Sequence, residues 1–254
     1  KQVGVAVIDE AHLLCTPTQV STLLAFQPRY VVALSATLER DDENHRMVQA
    51  ICGEHGIFRQ SEKPFTVYKT LTGAVPERVT NRQKMLDWSH LVRTALENEE
   101  RNQLILHLVR DNLHHKILIL SSLKDHVIYL FDLLRANGVG CDYLCGTKKG
   151  YTDATVLIGT TSKIGTGFDQ GAFCPEGEEV IHFDLLILAC SMKKYNMLTQ
   201  NIGRVFRSQS PVVYHLVDDD STIEKHWRKA AKWYRLRGGE IKNAEWIKGE
   251  LLKD

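Results

Sequence analysis

What this sequence lacks first is length in its apolar runs. None approaches the roughly 20 residues that a bilayer-spanning helix needs, so no membrane partner is expected. Cysteine is sparse and scattered: Cys15, Cys52, Cys141, Cys145, Cys174 and Cys190 form no CxxC pair and no His/Cys cluster at zinc spacing. Cys141 and Cys145 lie close in sequence, but nothing nearby completes a metal set. Free thiols in a reducing, intracellular compartment are the expectation. An excess of one charge is also missing. With 32 Lys and Arg against 31 Asp and Glu, no bulk field advertises a polyanionic partner, so any such surface must be a local patch. Short repeats and low-complexity tracts are absent. So is the G-x-x-x-x-G-K-[ST] loop that cradles phosphates. The opening "KQVGVAVIDEAH" carries no initiator methionine or secretory signal and runs almost at once into a strand, as expected of a piece of a longer chain.

What is there is ordinary globular material, 43% hydrophobic. "VGVAVID" (3–9) and "YVVALSAT" (30–37) read as strands covered on both faces, with helical stretches in "LLCTPTQVSTLLAFQP" and "ENHRMVQAICG". From residue 53 to 80 this rhythm stops at Pro64 and Pro76. Residues 61–80 read as a linker with an extended segment. Helical spacing follows from Arg82 to His115, with a charged break at "ENEERN". Strands then recur in "KILILSS", "CDYLC", "ATVLIGTT", "DLLILAC" and "PVVYHLVDD", separated by helical patterns. Such alternation predicts α/β architecture with parallel βαβ units and right-handed crossovers. The division expected is an incomplete α/β piece over 1–60, a fuller α/β domain over 81–237, and one more amphipathic helix over 238–254.

Ligand groups of open parallel sheets gather at the carboxyl ends of the strands. After the first strand comes Asp9-Glu10-Ala11-His12. Adjacent carboxylates there suit a hydrated magnesium ion or an attacking water, and equally a helix-dipole complement. Ser35-Ala36-Thr37 follows the second strand, where hydroxyls commonly cap or turn. After "VLIGTT" comes "SKIGTGFDQ", whose Gly165 and Gly167 permit close backbone approach. After "DLLILAC" comes "QNIGRVFR", which reads as the start of a helix with Arg204 and Arg207 three residues apart on one face. Arginine's rigid fork matches phosphate oxygens.

In that order, "DEAH", "SAT", "TTSKIGTGFD" and "QNIGRVFR" resemble motifs II, III, V and VI of the superfamily 2 helicases, over residues 3 to about 235. The wording "VLIGTTSKIGTGFD", with "GTKKGYTD" before it, is most similar to helicases of large cytoplasmic DNA viruses. It is similar beyond them to translocases related to the transcription-repair helicase XPB and a phage branch-migration helicase. The resemblance implies tandem RecA-like parallel sheets with flanking helices, the first domain incomplete. For a viral protein it places the chain in host cytoplasm or virion.

The resemblance also implies roles. Asp9 would hold the magnesium of ATP through water, Glu10 would polarise the hydrolytic water, and His12 would approach Gln200. Ser35 and Thr37 would couple the nucleotide to nucleic-acid contacts. Gly167 and Asp169 would meet the nucleotide sugar. Arg204 and Arg207, from the second domain, would reach the γ-phosphate of ATP held by the first, stabilising charge on the phosphoryl group in transfer. Thr161, and Ser121 or Ser122, would contact nucleic-acid phosphates. Such contacts fix register without reading sequence, on DNA ahead of RNA. Lys148 and Lys149 add phosphate attraction or form a solvated turn. Lys225, Arg228, Lys229, Lys232 and Arg235 make one side of a late helix basic, which reads first as a solvated face. The function implied is that of part of an ATP-dependent helicase or translocase, with the isolated piece inactive. The alternative is a noncatalytic nucleic-acid-binding or protein-interaction module.

Overall fold

The computed structural model describes residues 3–11, 16–35, 45–53, 55–57, 63–165, 168, 182–193 and 195–254. His12, Thr37, Gly167 and Asp169, each given a role above, lie outside the described residues. The chain packs as two compact units, Lys1–Gln60 and Ser61–Asp254.

In the first unit, β1 (Val5–Ile8) pairs in parallel with β2 (Tyr30–Ala33), joined through α1 (Pro17–Ala25). Thr16 caps α1 by accepting from the Gln19 N–H, and Pro17 opens it where no N–H is needed. α2 (His45–Cys52) ends before Gly53, whose φ of 85° stops the helix. Val5, Val7, Tyr30 and Val32 are exposed, so β1 and β2 are not the doubly covered strands that their composition suggests. Among the described residues, two strands and two short helices do not supply the layers that would cover them.

The second unit is an eight-stranded sheet. Its strands are β3 (Phe65–Leu71), β4 (Ile117–Ser121), β5 (Cys141–Leu144), β6 (Val156–Thr160), β7 (Leu185–Leu188), β8 (Val212–Val217), β9 (Gly239–Ile247) and β10 (Glu250–Lys253). The order across the sheet is β10-β9-β3-β8-β7-β4-β6-β5, parallel except for the β9–β10 hairpin. Strand alternation divides the core. Leu118 and Leu120 of β4 point to one face with Phe65, Val67, Trp227 and Tyr234, while Ile117 and Ile119 point to the other with Leu104, Leu108 and Leu130. Helices α3 (Trp88–Glu97), α4 (Glu99–Asp111), α5 (Lys124–Ala136) and α8 (Ser221–Leu236) flank it, with the shorter α6 (Thr161–Gly165) and α7 (Tyr195–Ile202) at strand ends. The charged "ENEERN" marks a true break: Asn98 ends α3 and caps α4, accepting from the Arg101 N–H.

Two expectations need correction. Residues 65–71 are no linker, because β3 runs between β8 and β9 and bonds to both. Residues 238–254 form β9 and β10 rather than a helix. Lys248 and Gly249, at φ 50° and 86°, make the two-residue hairpin turn that a right-twisted ribbon favours, and the edge of β3 accepts β9 along its length.

Candidate functional site

Several of the second unit's buried polar side chains, Thr72, Ser121, Thr161 and Asp218 among them, lie at the carboxyl ends of strands. Arg101, at the first turn of α4, is 1% exposed. Its Nε donates to Asp218 Oδ1 at 2.7 Å and its Nη2 to the Ala189 carbonyl at 3.0 Å. Thr72 donates to the same Asp218 oxygen at 2.7 Å. This pair ties together the ends of β3, β7 and β8. Breaking it would strand a buried charge, at a cost of about 3–5 kcal/mol.

Ser121 ends β4 and is fully buried. Its hydroxyl lies 2.8 Å from His126 Nδ1, and His126 Nε2 lies 2.9 Å from Asn102 Oδ1. Asn102 uses its amide N–H on the Leu96 carbonyl, so its oxygen accepts from the imidazole and His126 is the neutral, Nε2-protonated tautomer. Burial, with Arg101 nearby, lowers the His126 pKa to about 3. Ser121 therefore serves the interior and does not face nucleic acid. Ser122 is exposed, since successive residues at a strand end point to opposite sides.

Lys148 is also occupied within the protein. It donates to Asp142 and sits 4.0 Å above the Tyr143 ring. Burial would raise the Asp142 pKa, but bonds from Lys148, Thr152 and Tyr143 outweigh it and hold the carboxyl below its ordinary range. Of the two lysines given a phosphate role, Lys149 alone is exposed. Thr161 opens α6 and is 7% exposed.

The arginines come after a helix and not at the start of one. α7 ends at Ile202, and Arg204 and Arg207 ride on tight turns whose N–H groups bond three residues back: Arg204 to Asn201, Val205 to Ile202, Ser208 to Val205. Such turns still set residues three apart above one another. Val205 and Ile202 are fully buried beneath. Phe206 packs on Phe65 with ring centroids 4.8 Å apart, and Lys63 reaches the carbonyls of Phe206 and Ser208 at 3.4 Å. Gly203 is required here: a Cβ would stand 2.8 Å from the Thr199 carbonyl oxygen.

Arg204 and Arg207 line one small concavity with Phe168 and Phe183. They are engaged differently. Arg204 donates from Nη1 to the Phe168 carbonyl at 2.8 Å and from Nη2 to the Gly165 carbonyl at 2.7 Å, closing the end of α6 with a cation. Arg207 is exposed. Gln200 and Asn201 lie against Gly165, their side chains within 4 Å of where its Cβ would be. The end of α7 and the end of α6 thus form one joint, with Arg204 as its tie.

In the first unit, Asp9 is exposed at the end of β1 and its Oδ1 accepts from the Glu10 N–H at 2.8 Å. Its other oxygen takes no hydrogen bond among the described residues, which suits a water of a hydrated magnesium ion. Glu10 has φ 51°, a left-handed conformation uncommon for glutamate. The Ala11 N–H bonds the Leu34 carbonyl, which sets the acidic pair beside Ser35. Among the described residues no cluster of His, Cys, Asp and Glu could hold a metal alone, and no helix is long and apolar enough to cross a membrane. Arg101, His126 and Asp218 were not singled out from sequence. The one available signal was the acid run "VDDD" at the end of β8.

No family model matches the chain. It is 30% identical to Putative helicase 161L of Invertebrate iridescent virus 6, with 94% of this chain and 57% of that protein covered. It is also 30% identical to Putative helicase 055L of Frog virus 3, covering 94% and 54%. The chain therefore spans about half the length of these relatives. Among solved structures, S. cerevisiae Dbp5 L327V bound to RNA and ADP BeF3 matches with a TM-score of 0.59 at 14% identity, covering 95% of this chain and 59% of that one. At that identity the likeness speaks for the fold alone. The chain is similar over most of its length to these putative helicases and shares the RecA-like α/β fold of Dbp5.

Proposed function

We propose that this chain is part of an ATP-dependent helicase or translocase that moves along nucleic acid, DNA ahead of RNA, without reading sequence. Asp9 orients water on the magnesium of ATP. Glu10 polarises the water that attacks. Arg207 stabilises charge on the γ-phosphate, and Gln200 holds the neighbouring joint. The observation that carries this reading is the division of labour between the two arginines. Arg207 is exposed beside the small concavity it lines with Phe168, Phe183 and Arg204, while Arg204 is tied to the end of α6. A phosphate entering there would have to draw Arg204 from the Gly165 and Phe168 carbonyls. The short helix α6 after β6, which opens with Thr161 and which we assign to the nucleic-acid side, would then sense phosphate, and phosphate would sense it. Ser122 and Lys149 add exposed donors at neighbouring strand ends, taking the place of Ser121 and Lys148. ATP supplies the phosphoryl group; the chain supplies charge and position.

The second reading, a noncatalytic binding module, draws on the absence of a G-x-x-x-x-G-K-[ST] loop from these residues. One experiment separates them: ATP hydrolysis by the full-length protein, measured alone and with duplex DNA, single-stranded DNA or RNA. Stimulation by a nucleic acid, with negligible hydrolysis by the present chain alone, is the expected result. Hydrolysis that ignores every polymer, or none at all from the full-length protein, would overturn the proposal.

A further inference from the structure

Helix α8 has a face that no role above uses. Ile223, Trp227, Ala230, Ala231, Trp233 and Tyr234 are buried and anchor it on the sheet. On the other side Lys225, Arg228, Lys229, Lys232 and Arg235 are all exposed and recur at helical spacing. Glu224 is the helix's only acid, and it faces Lys69 at 3.0 Å and, more loosely, Arg228 at 3.4 Å. Lys225, Lys229, Lys232 and Arg235 make no ion pair among the described residues. In a chain whose formal net charge is +1, this is a concentrated positive stripe, about 15 Å long at 1.5 Å per residue.

We propose that this stripe docks the phosphate backbone of duplex DNA flanking the strand that the enzyme tracks. The inference rests on the reading under Proposed function for its polymer, but uses a surface apart from the strand-end groups. Charge complementarity selects a polyanion. Duplex DNA carries about one charge per 1.7 Å of axis, dense enough to meet a cation at each helical turn. The aromatic side chains of α8 are buried, so the stripe offers no stacking platform of the kind that unpaired bases need. The local field is already felt: after burial, the charges of Lys193 and Lys229 hold the His226 imidazole below its ordinary pKa.

The test is binding of this chain to a fluorescent mixed-sequence DNA duplex, without ATP, across about 50 to 200 mM salt. The triple variant K225E/K229E/K232E should lower affinity at least tenfold and reduce the slope of log K against log salt by about 3, since each lost phosphate contact removes about 0.9. R82E/R93E/K248E, with the same change in net charge elsewhere, should leave the slope nearly unchanged. Equal effects of the two variants would mean bulk charge alone. No effect of the first, or no duplex binding by the unvaried chain, would mean a solvated face. Poly-glutamate displaced by the first variant while duplex binding persists would assign the stripe to an acidic protein. Each of these four outcomes overturns the proposal. All are read without nucleotide, so they leave the hydrolysis reading to its own test. The reversed lysines are exposed and make no ion pair among the described residues, so the thermal midpoint of the variant should match the parent.

Discussion

The two units spell the same kind of strand and bury it differently. "VAVI" in β1 and "ILIL" in β4 are both short β-branched or leucine runs with parallel partners. Yet Val5 and Val7 are 55% and 63% exposed, while Ile117 to Leu120 are all at 0%. The difference lies in the neighbours. β4 sits between β6 and β7 with helices on both faces, whereas β1 has one partner strand among the described residues. An apolar run thus encodes extended backbone, while burial depends on sheet width and covering layers. Full burial stabilises by about 1.5–3 kcal/mol per aliphatic side chain. That contribution belongs to the second unit, which should be the stability-determining body.

The largest effect that could break this comparison is a pair of truncations. Ile119→Ala should cost about 2–5 kcal/mol in urea unfolding, and Val7→Ala within about 0.5 kcal/mol. Similar costs at both positions would show that the first unit is as well covered as the second. A smaller effect sharpens it. Burial lowers the pKa of both His126 and His215 to about 3, against about 6.5 in an unfolded chain. The unfolded state therefore takes up protons first as pH falls. The stability from keeping these rings neutral is complete above pH 6.5 and is lost progressively between there and about 3. Melting of the second unit should fall from pH 7 to pH 5, and His126→Gln should flatten that fall. A variant as acid-sensitive as the parent would remove His126 from the account.

Much of the second unit is legible because β4, β6 and β7 are nearly continuous apolar runs between turn signals, and β5 and β8 are mostly apolar. β3 is not: "FTVYKTL" mixes polar residues, since one β3 face holds Lys69 against Glu224 and the other Tyr68 against Tyr214. The apolar spacing of β9 fits a helical or an extended period, and the edge of β3 decides between them. The strand-end motifs were visible, but their side chains were not. Ser121 turns inward because His126, in the first turn of α5, offers it an acceptor. Lys148 turns back onto the Asp142 carboxylate and the Tyr143 ring, which take its charge within the fold. Arg204 and Arg207 look equivalent in "GRVFR". The carbonyls of Gly165 and Phe168, brought near by the fold, take one and leave the other exposed.

That asymmetry gives the most direct measurement: nucleic-acid-stimulated ATP hydrolysis by the full-length protein carrying Arg207→Ala. A guanidinium acting on the transferring phosphoryl group is worth about 10³-fold or more in kcat, so kcat should fall by that order while nucleic-acid binding is retained. A variant that hydrolyses ATP at the parent rate would contradict the assignment of Arg207 and, with it, the catalytic reading of this chain.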